Sequence, residues 1–231
     1  FDRPIVVAGA AYRFMVLEQL AELGLQADIL LESARRDSGP AIAAGAVYAA
    51  KRDADAVLLA LAADHVVKDT AAFAAACKVS LGLANAGRIV TFGVKPERAA
   101  TEYGYISPGE CVEGAVRCVA SFVEKPDVET AARYVKDGYL WNSGNFMFRA
   151  DVLLAEYCVM DSVSVNAVTR AVDQAHKDLA FVNLDQAAFE SAKPISIDYA
   201  VMEKTARAVV IPVTFGWSDV GSWRAVWELS E

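Results

Sequence analysis

The sequence predicts an α/β fold in which a doubly wound, mostly parallel sheet is flanked by helices. Strand-like apolar segments alternate with helical segments through the first part of the chain, as in parallel sheets with right-handed crossovers. The stretch 57–67 is the most apolar, which is typical of a strand buried on both faces. At 231 residues with 55% apolar side chains, the chain can bury a sizeable core, so a single domain over 1–231 is expected.

Each element follows from a local pattern. Runs rich in β-branched and other apolar residues predict strands at 5–7, 27–31, 57–61, 88–93 and 208–213. Apolar residues near the 3.6-residue period predict helices at 13–23, 39–52 and 70–86. Pro40 lies near the first turn of the second helix, where its missing N–H costs nothing.

From residue 93 the pattern shortens. Two short strands, 103–106 and 116–123, are joined by a turn rich in Gly and Glu, so a small β-hairpin insertion is expected. The pattern then predicts a helix at 128–137, a strand at 145–149 and a helix from 152. The stretch 158–184 is helical by composition, and His176 within it is expected to be a solvated helix residue rather than a ligand.

Charge and composition exclude several classes of protein. The net charge of −8 and the absence of a long Lys/Arg cluster argue against nucleic-acid binding. The four cysteines have no C-x-x-C spacing and no nearby His, so reduced thiols are expected. No apolar stretch reaches 18 residues and no signal peptide is recognisable, which predicts a soluble, cytoplasmic protein. The oligomeric state stays open, with a homodimer among the options.

Asp64 closes the most apolar strand. Ligands of open α/β sheets sit beyond the carboxyl ends of such strands, so an acid there faces a crevice. Magnesium takes one or two protein carboxylates and leaves its other positions to water and phosphate oxygens, which suits this residue. The alternative is that Asp64 caps the turn that follows.

Like the segment around Asp64, two further short polar segments, called polar islands below, interrupt apolar strands. The first contains Glu124 and Lys125, which cannot face one ligand unless the strand ends or bulges there, and the alternative is a solvated strand end. The second contains Asn142, with amide donors and an acceptor, and Gly144, which lets a ligand approach the backbone. A simple turn is the alternative for this second island.

The last island places Asp219 between two tryptophans after the strand that ends near residue 213. An acid framed by glycines and aromatic rings indicates a shaped pocket. The alternative is a structural turn in which Asp219 caps a helix that starts near Ser222.

In their order and residue sequence, these islands resemble motifs of the mannose-1-phosphate guanylyltransferases, also called GDP-mannose pyrophosphorylases. The motifs are Phe-Val-Glu-Lys-Pro at 122–126, Trp-Asn-Ser-Gly-Asn-Phe at 141–146, Ile-Asp-Tyr-Ala-Val-Met-Glu at 197–203 and Trp-Ser-Asp-Val-Gly-Ser-Trp at 217–223. Segments 32–41 and 62–65 also match, so the resemblance covers nearly the whole chain. It implies a Rossmann-like nucleotide-diphospho-sugar transferase fold and the synthesis of GDP-mannose and pyrophosphate from GTP and mannose 1-phosphate.

The resemblance also implies roles for individual residues. Asp64 and Asp219 match the two acids that bind Mg²⁺ and take part in catalysis, and Lys125 would neutralise the sugar phosphate. The matching sugar-site positions are Gly104, Glu124, Asn142 and Gly144.

Base recognition is implied for a second group of residues. This group lies in the segment 35–40, which leads into the second predicted helix, and comprises Arg36, Asp37, Ser38 and Pro40. Asp37-Ser38-Gly39 stands where the family usually has Asn-Thr-Ala, and an Asp can accept from guanine N1–H and from the exocyclic amine. Asp198, in the 197–203 run, matches a substrate-site position whose role carries over less clearly, as does Glu203.

The chain departs from the family at its start. The family opens with a Gly-rich loop that carries an Arg and is followed by a Pro-Lys segment, and neither motif occurs here. That loop holds the triphosphate with backbone N–H groups and positive charge, so a domain truncated at its N-terminus is expected. Two alternatives therefore stand beside the enzyme: a non-catalytic sugar-nucleotide-binding or regulatory module, and a nucleotidyltransferase for another hexose 1-phosphate.

Overall fold

The computed structural model of the protein describes residues 3–221, 223, 226 and 227. The chain divides into two compact units. Unit 1 comprises Phe1–Ala56 and Leu153–Val201, and unit 2 comprises Val57–Val152 and Met202–Glu231. The single-domain organisation expected from chain length stays a prediction.

Strands and helices alternate along the described chain. In chain order they are β1 (Ile5–Gly9), α1 (Arg13–Glu22), β2 (Asp28–Glu32), α2 (Ser38–Ala50), β3 (Val57–Ala60), β4 (Val66–Val67), α3 (Thr70–Asn85), β5 (Ile89–Val94), β6 (Tyr105–Glu113), β7 (Val116–Val123), α4 (Val128–Lys136), β8 (Leu140–Arg149), α5 (Ala150–Met160), α6 (Ser162–Asp173), β9 (His176–Asp178), β10 (Phe181–Asn183), α7 (Gln186–Glu190), β11 (Ala208–Val213) and β12 (Trp217–Ser218). A 3₁₀ turn at Ala10–Tyr12 and a π-helical turn at Asp198–Met202 complete the set.

Aspartate side chains fix where several helices begin. Each accepts a hydrogen bond from a backbone N–H of the first helical turn, which satisfies a donor that the helix itself cannot pair. The capped helices and their aspartates are α2 (Asp37), α3 (Asp69), α4 (Asp127), α6 (Asp161) and α7 (Asp185).

Unit 1 contains a four-stranded sheet in the order β1-β2-β10-β9. β1 and β10 both run parallel to β2, and β9 is antiparallel to β10. The prediction that 158–184 is helical is wrong at its end, because Phe181–Asn183 pairs with β2. Pairing with a strand more than 140 residues earlier overrides local helical composition. His176 is exposed, as expected, but it lies on β9 rather than on a helix.

Unit 2 contains a six-stranded sheet in the order β3-β8-β5-β11-β7-β6, and β6 also pairs with β8. The predicted hairpin is confirmed as β6 and β7. The sheet is more antiparallel than predicted. Its only neighbouring strands that run parallel are β5 and β11, and β8 runs antiparallel between β3 and β5. The prediction that the apolar strand at 57–61 is buried on both faces is wrong, because β3 lies at the edge of this sheet and is half-buried. An apolar run also does not report the direction of the neighbouring strands, so this pairing was not readable from the sequence.

The polar island around Asn142 is part of a strand rather than a loop before one. β8 begins at Leu140, five residues earlier than predicted, and its first residues pair with β5 and β6. Most of its side chains are buried. The simple-turn alternative for this island is therefore wrong.

Aromatic packing anchors the segment that carries Asp219. Phe215 is buried and meets Phe73 of α3 edge-on at 5.3 Å between ring centroids, and Phe92 of β5 at 6.2 Å. Such ring pairs add to the stabilisation that burial alone provides. Across the described residues, none of the helices has the length and apolarity needed to cross a membrane.

Candidate functional site

Strand direction in unit 2 brings distant acidic segments to one edge of the sheet. Because β3 and β5 are both antiparallel to β8, and β11 is parallel to β5, the strands β3, β5 and β11 all point the same way. Asp64 follows β3 and Asp219 follows β11, so both lie beyond strand ends at the same edge.

A two-stranded ribbon then joins these two acidic segments. β4 and β12 are antiparallel, with Val66 opposite Ser218 and Val67 opposite Trp217. In an antiparallel pair, residues that precede one partner lie beside residues that follow the other. The ribbon therefore sets Asp64, two positions before Val66, near Asp219, one position after Ser218.

Asp64 presents an open carboxylate. Its side chain is 78% exposed, and its Oδ1 lies 4.0 Å from Nε2 of His65. The helix that follows, α3, is capped by Asp69, whose carboxylate accepts from the N–H of Ala72 at 2.9 Å. Asp64 is therefore not the cap of that helix, and its carboxylate is accessible to a ligand.

Asp219 has one carboxylate oxygen held by its own unit. Oδ1 accepts from the Tyr103 hydroxyl at 3.0 Å and from the Gly221 N–H at 3.2 Å. Among the described residues, no hydrogen bond to Oδ2 is present. A helix start near Ser222 would lie outside the described residues, so the capping alternative is not tested there.

The two acids are candidate ligands for a divalent cation. No group of three or more His, Cys, Asp or Glu residues with metal-binding spacing occurs in the part of the chain that the structure describes. Zinc and calcium sites generally need more protein ligands than two carboxylates. Magnesium is commonly held by one or two carboxylates with water and phosphate oxygens, so Asp64 and Asp219 fit that ion.

His65 links the first acidic segment to the second. Its Nδ1 accepts from Nε1 of Trp217 at 3.3 Å, and the two rings meet edge-on at 5.3 Å. A neutral imidazole whose Nδ1 accepts carries its proton on Nε2, the nitrogen that faces Asp64. A Cβ on Gly144 would lie 3.2 Å from this imidazole, so the ring packs closely against the backbone of β8.

A second cluster in unit 2 gathers three residues predicted to contact sugar. A Cβ on Gly104 would lie 2.4 Å from Oε2 of Glu124, so only glycine leaves room for that carboxylate. The backbone N–H of Asn142 donates to the Gly104 carbonyl at 2.8 Å. Asn142 is buried, and its Oδ1 accepts from Thr91 Oγ1 at 2.9 Å and from the Gly144 N–H at 3.2 Å.

Glu124 and Lys125 meet the condition under which both can face one ligand. β7 ends at Val123, and Lys125 has a φ of 48° that turns the chain out of the strand. Lys125 Nζ lies 3.5 Å from Glu124 Oε1, and the Glu124 N–H donates to Oε1 of Glu203 at 3.4 Å. Burial raises the pKa of Glu124, and the charge of Lys125 opposes that rise.

The residues predicted to bind the base lie in unit 1, from the end of β2 to the first turn of α2. Asp37 caps α2 with a φ of 66°, and its Oδ1 accepts from the Ser38 N–H at 2.7 Å. Ser38 Oγ accepts from the Ile197 N–H at 3.0 Å, which ties α2 to the segment before the π-helical turn. Pro40 is buried in the first turn of α2.

Arg36 and Asp198 complete the set predicted for unit 1. Arg36 Nη2 donates to the Glu190 carbonyl at 2.5 Å, whereas its Nε is buried without a hydrogen-bond partner among the described residues. Asp198 opens the π-helical turn and is half-buried. The role of either residue stays a prediction.

Sequence reasoning assigned no role to Tyr103 or Glu32. Tyr103 lies directly before Gly104, and nothing in its local pattern predicts its contact with Asp219. Glu32 ends β2, and its Oε2 is buried without a hydrogen-bond partner among the described residues. Burial raises its pKa, opposed by the charge of Arg35. The signal that marked Asp64, an acid at the end of an apolar strand, also applies to Glu32.

Comparisons of the sequence with known proteins identify its relatives. A family model described as Nucleotidyl transferase matches residues 1–231. The mannose-1-phosphate guanylyltransferase RfbM of Salmonella typhimurium is 46% identical over 233 residues, which cover 99% of this chain and 49% of RfbM. The xanthan biosynthesis protein XanB of Xanthomonas campestris pv. campestris is 47% identical over 230 residues, with coverage of 99% and 49%. The chain thus spans about half the length of the curated relatives it matches.

A solved structure gives the same fold. The crystal structure of mannose-1-phosphate geranyltransferase from Thermus thermophilus aligns with a TM-score of 0.84 and 31% identity, covering 98% of this chain and 64% of that chain. This likeness confirms the predicted fold class, an α/β nucleotide-diphospho-sugar transferase fold.

Proposed function

The chain belongs to the nucleotidyl transferase family, and we propose that it serves the synthesis of GDP-mannose and pyrophosphate from GTP and mannose 1-phosphate. The observation that supports the proposal most directly is the pairing of Val66 with Ser218, because it joins the two segments that carry Asp64 and Asp219. The names of the relatives RfbM and XanB support the substrates and a use in polysaccharide biosynthesis.

The proposed reaction is an in-line phosphoryl substitution. A phosphate oxygen of mannose 1-phosphate forms a bond to the α-phosphorus of GTP, and the bond from that phosphorus to the bridging β-phosphate oxygen breaks, which releases pyrophosphate. Catalysis of this kind is mainly positioning and charge neutralisation. Magnesium, when bound, would supply positive charge to the phosphates, with Asp64 and Asp219 as its protein ligands.

The chain's own residues would hold the sugar phosphate. Glu124, when ionised, would accept hydrogen bonds from sugar hydroxyls. The absence of a side chain on Gly104 leaves room for the Glu124 carboxylate. Lys125 would neutralise the sugar phosphate, since its ammonium is mostly exposed and lies beside Glu124. Asn142 and Gly144 would supply further polar contacts from β8.

Base recognition in this proposal belongs to unit 1. The carboxylate of Asp37 can accept from N1–H and the exocyclic amine of guanine, and the backbone around Ser38 and Pro40 offers further polar groups. Arg36 would support the segment through its bond to the Glu190 carbonyl. A cytoplasmic location is part of the same proposal, and it is supported by the four cysteines, all of which are free thiols.

The decisive variant is Asp219→Asn in the complete protein that carries this chain. It keeps the side-chain shape but removes the charge, so kcat for pyrophosphate release should fall by about 10² or more. Asp137→Asn, an exposed residue that follows α4, is the matched control and should leave kcat unchanged. Wild-type turnover by Asp219→Asn would remove that residue from the mechanism.

Substrate choice needs a parallel assay. GTP and mannose 1-phosphate should give the highest kcat/KM among pairings of GTP, ATP, UTP or CTP with mannose or glucose 1-phosphate. A higher value for another pairing would reassign the substrate within the same enzyme class. Calorimetric binding of GDP-mannose by a complete protein that turns over no pairing would instead support the non-catalytic binding module.

A further inference from the structure

Tyr103 occupies an unusual position between two tryptophans of unit 2. Its ring meets Trp141 edge-on at 5.0 Å and Trp217 at 5.2 Å between centroids. The guanidinium of Arg98 lies over the same ring, 5.7 Å from its centroid. Contacts on several sides restrict the rotamers that the phenol can adopt.

The hydroxyl of Tyr103 forms a hydrogen bond with Asp219. The hydroxyl donates to Asp219 Oδ1 at 3.0 Å, and this bond joins residues 116 positions apart. An ionised carboxylate has no proton to donate, so the phenol is the donor in this bond and Asp219 is the acceptor.

The two oxygens of Asp219 are consequently in different situations. Oδ1 receives the phenol and the Gly221 N–H, which together fix the plane of the carboxylate. Oδ2 lies close to Gly221, where a Cβ would come within 2.7 Å of it, so the glycine keeps the approach to that oxygen open. A carboxylate held by one oxygen can present the other to a cation without first ordering itself.

We propose that Tyr103 is a positioning residue, which orients the Asp219 carboxylate so that Oδ2 is ready to bind a divalent cation. This inference rests on the proposed function, in which Asp219 is a metal ligand. Hydrogen-bond partners of metal ligands commonly change metal affinity or activity by about 10-fold to 100-fold when they are removed. Loss of the Tyr103 hydroxyl should weaken metal binding and leave the affinity for the sugar phosphate unchanged.

Trp217 ties the same arrangement to the first acidic segment. Its ring packs on Tyr103, and its N–H donates to His65, the neighbour of Asp64. The Tyr103 ring, as distinct from its hydroxyl, therefore supports the packing between both segments. For this reason the test keeps the ring and removes only the hydroxyl.

The experiment is Tyr103→Phe in the complete protein, read first by titration with Mn²⁺ alone and electron paramagnetic resonance detection of the free ion. Mn²⁺ affinity should fall by about tenfold. In turnover assays, the Mg²⁺ concentration for half-maximal rate should rise, while KM for mannose 1-phosphate at saturating Mg²⁺ stays unchanged. Tyr134→Phe is the control, because Tyr134 is also a half-buried tyrosine of unit 2 and its ring packs on Tyr105 and Tyr139.

A double variant separates positioning from general damage. If Tyr103 acts through Asp219, adding Tyr103→Phe to Asp219→Asn should lower kcat no further. An additive loss, or Mn²⁺ affinity equal to wild type in Tyr103→Phe, would overturn the inference and leave the proposed function standing. Wild-type protein that turns over substrates but binds no Mn²⁺ would also overturn it, whereas absence of turnover with tight Mn²⁺ binding would count against the proposed function alone.

Discussion

The candidate residues of unit 1 lie almost entirely in one stretch from the end of β2 to the first turn of α2, whereas those of unit 2 come from five segments far apart in sequence. In unit 1, Asp37 caps its own helix and Ser38 bonds to Ile197, so local structure engages the polar groups. In unit 2, Asp64 stays exposed and Asp219 keeps one oxygen without a hydrogen bond among the described residues. Strand pairing therefore gathers the candidate residues of unit 2 from distant segments, whereas a single local segment supplies most of those in unit 1.

Two half-buried glutamates, one in each unit, differ in how their charge is compensated. Burial raises the pKa of Glu32 in unit 1 and of Glu124 in unit 2. Glu124 has the ammonium of Lys125 within 3.5 Å, whereas Oε2 of Glu32 has no hydrogen-bond partner among the described residues. An unpartnered buried carboxylate oxygen is costly, so Glu32 is the less compensated of the two.

The largest effect is expected in unit 2 from Gly104→Ala. The new Cβ would lie 2.4 Å from Oε2 of Glu124, which must swing away because that oxygen is the movable end of its side chain. Displacing a positioning group by about 1 Å can cost about 10²-fold, so kcat/KM for mannose 1-phosphate should fall by that order. Thermal unfolding should be nearly unchanged, and a strongly lowered Tm would instead assign Gly104 a role in stability.

In unit 1, Gly39→Ala should instead lower the stability of the fold. Its Cβ would meet the Ile195 carbonyl at 2.6 Å and the Tyr157 hydroxyl at 2.8 Å, and backbone cannot swing aside as a carboxylate can. Overpacking of this kind typically costs about 2 kcal/mol in the free energy of unfolding.

The control lies in the same helix. Gly45→Ala adds a Cβ whose nearest contact is Val7 at 4.0 Å, so it should stabilise α2 by about 0.5–1 kcal/mol. Equal stability of the two alanine variants in denaturant unfolding would show that the close approach at Gly39 relaxes without cost.

The smallest effect concerns Glu32→Gln and the dependence of stability on pH. Because the folded-state pKa of Glu32 is raised above 4.5, the folded chain holds its proton more tightly than the unfolded chain. Wild-type stability is therefore lost as pH rises from the unfolded pKa through the folded one. The variant should be the more stable protein near neutral pH, and its advantage should vanish in acid, as measured by urea unfolding across the pH range. An advantage independent of pH would exclude titration of Glu32 as its cause.

Much of the fold follows from local sequence. The predicted strands at 5–7, 57–61 and 208–213 and the helices at 13–23 and 70–86 agree with the structure to within a few residues. Sequence reasoning failed where pairing partners are distant, as for Phe181–Asn183, which composition assigned to a helix. It also missed that Asn142 lies inside β8, since only β5 and β6 supply the hydrogen bonds that make this stretch a strand.

The sequence by itself determined the fold class and the family and pointed to the candidate acids, because these depend on residue types, periodicity and motif order within short windows. Only the tertiary structure decided which groups meet: His65 with Trp217, Tyr103 with Asp219, and Gly104 with Glu124. The physical reason is that strand register and direction are set by hydrogen bonds between segments far apart in the chain, and no local pattern encodes them.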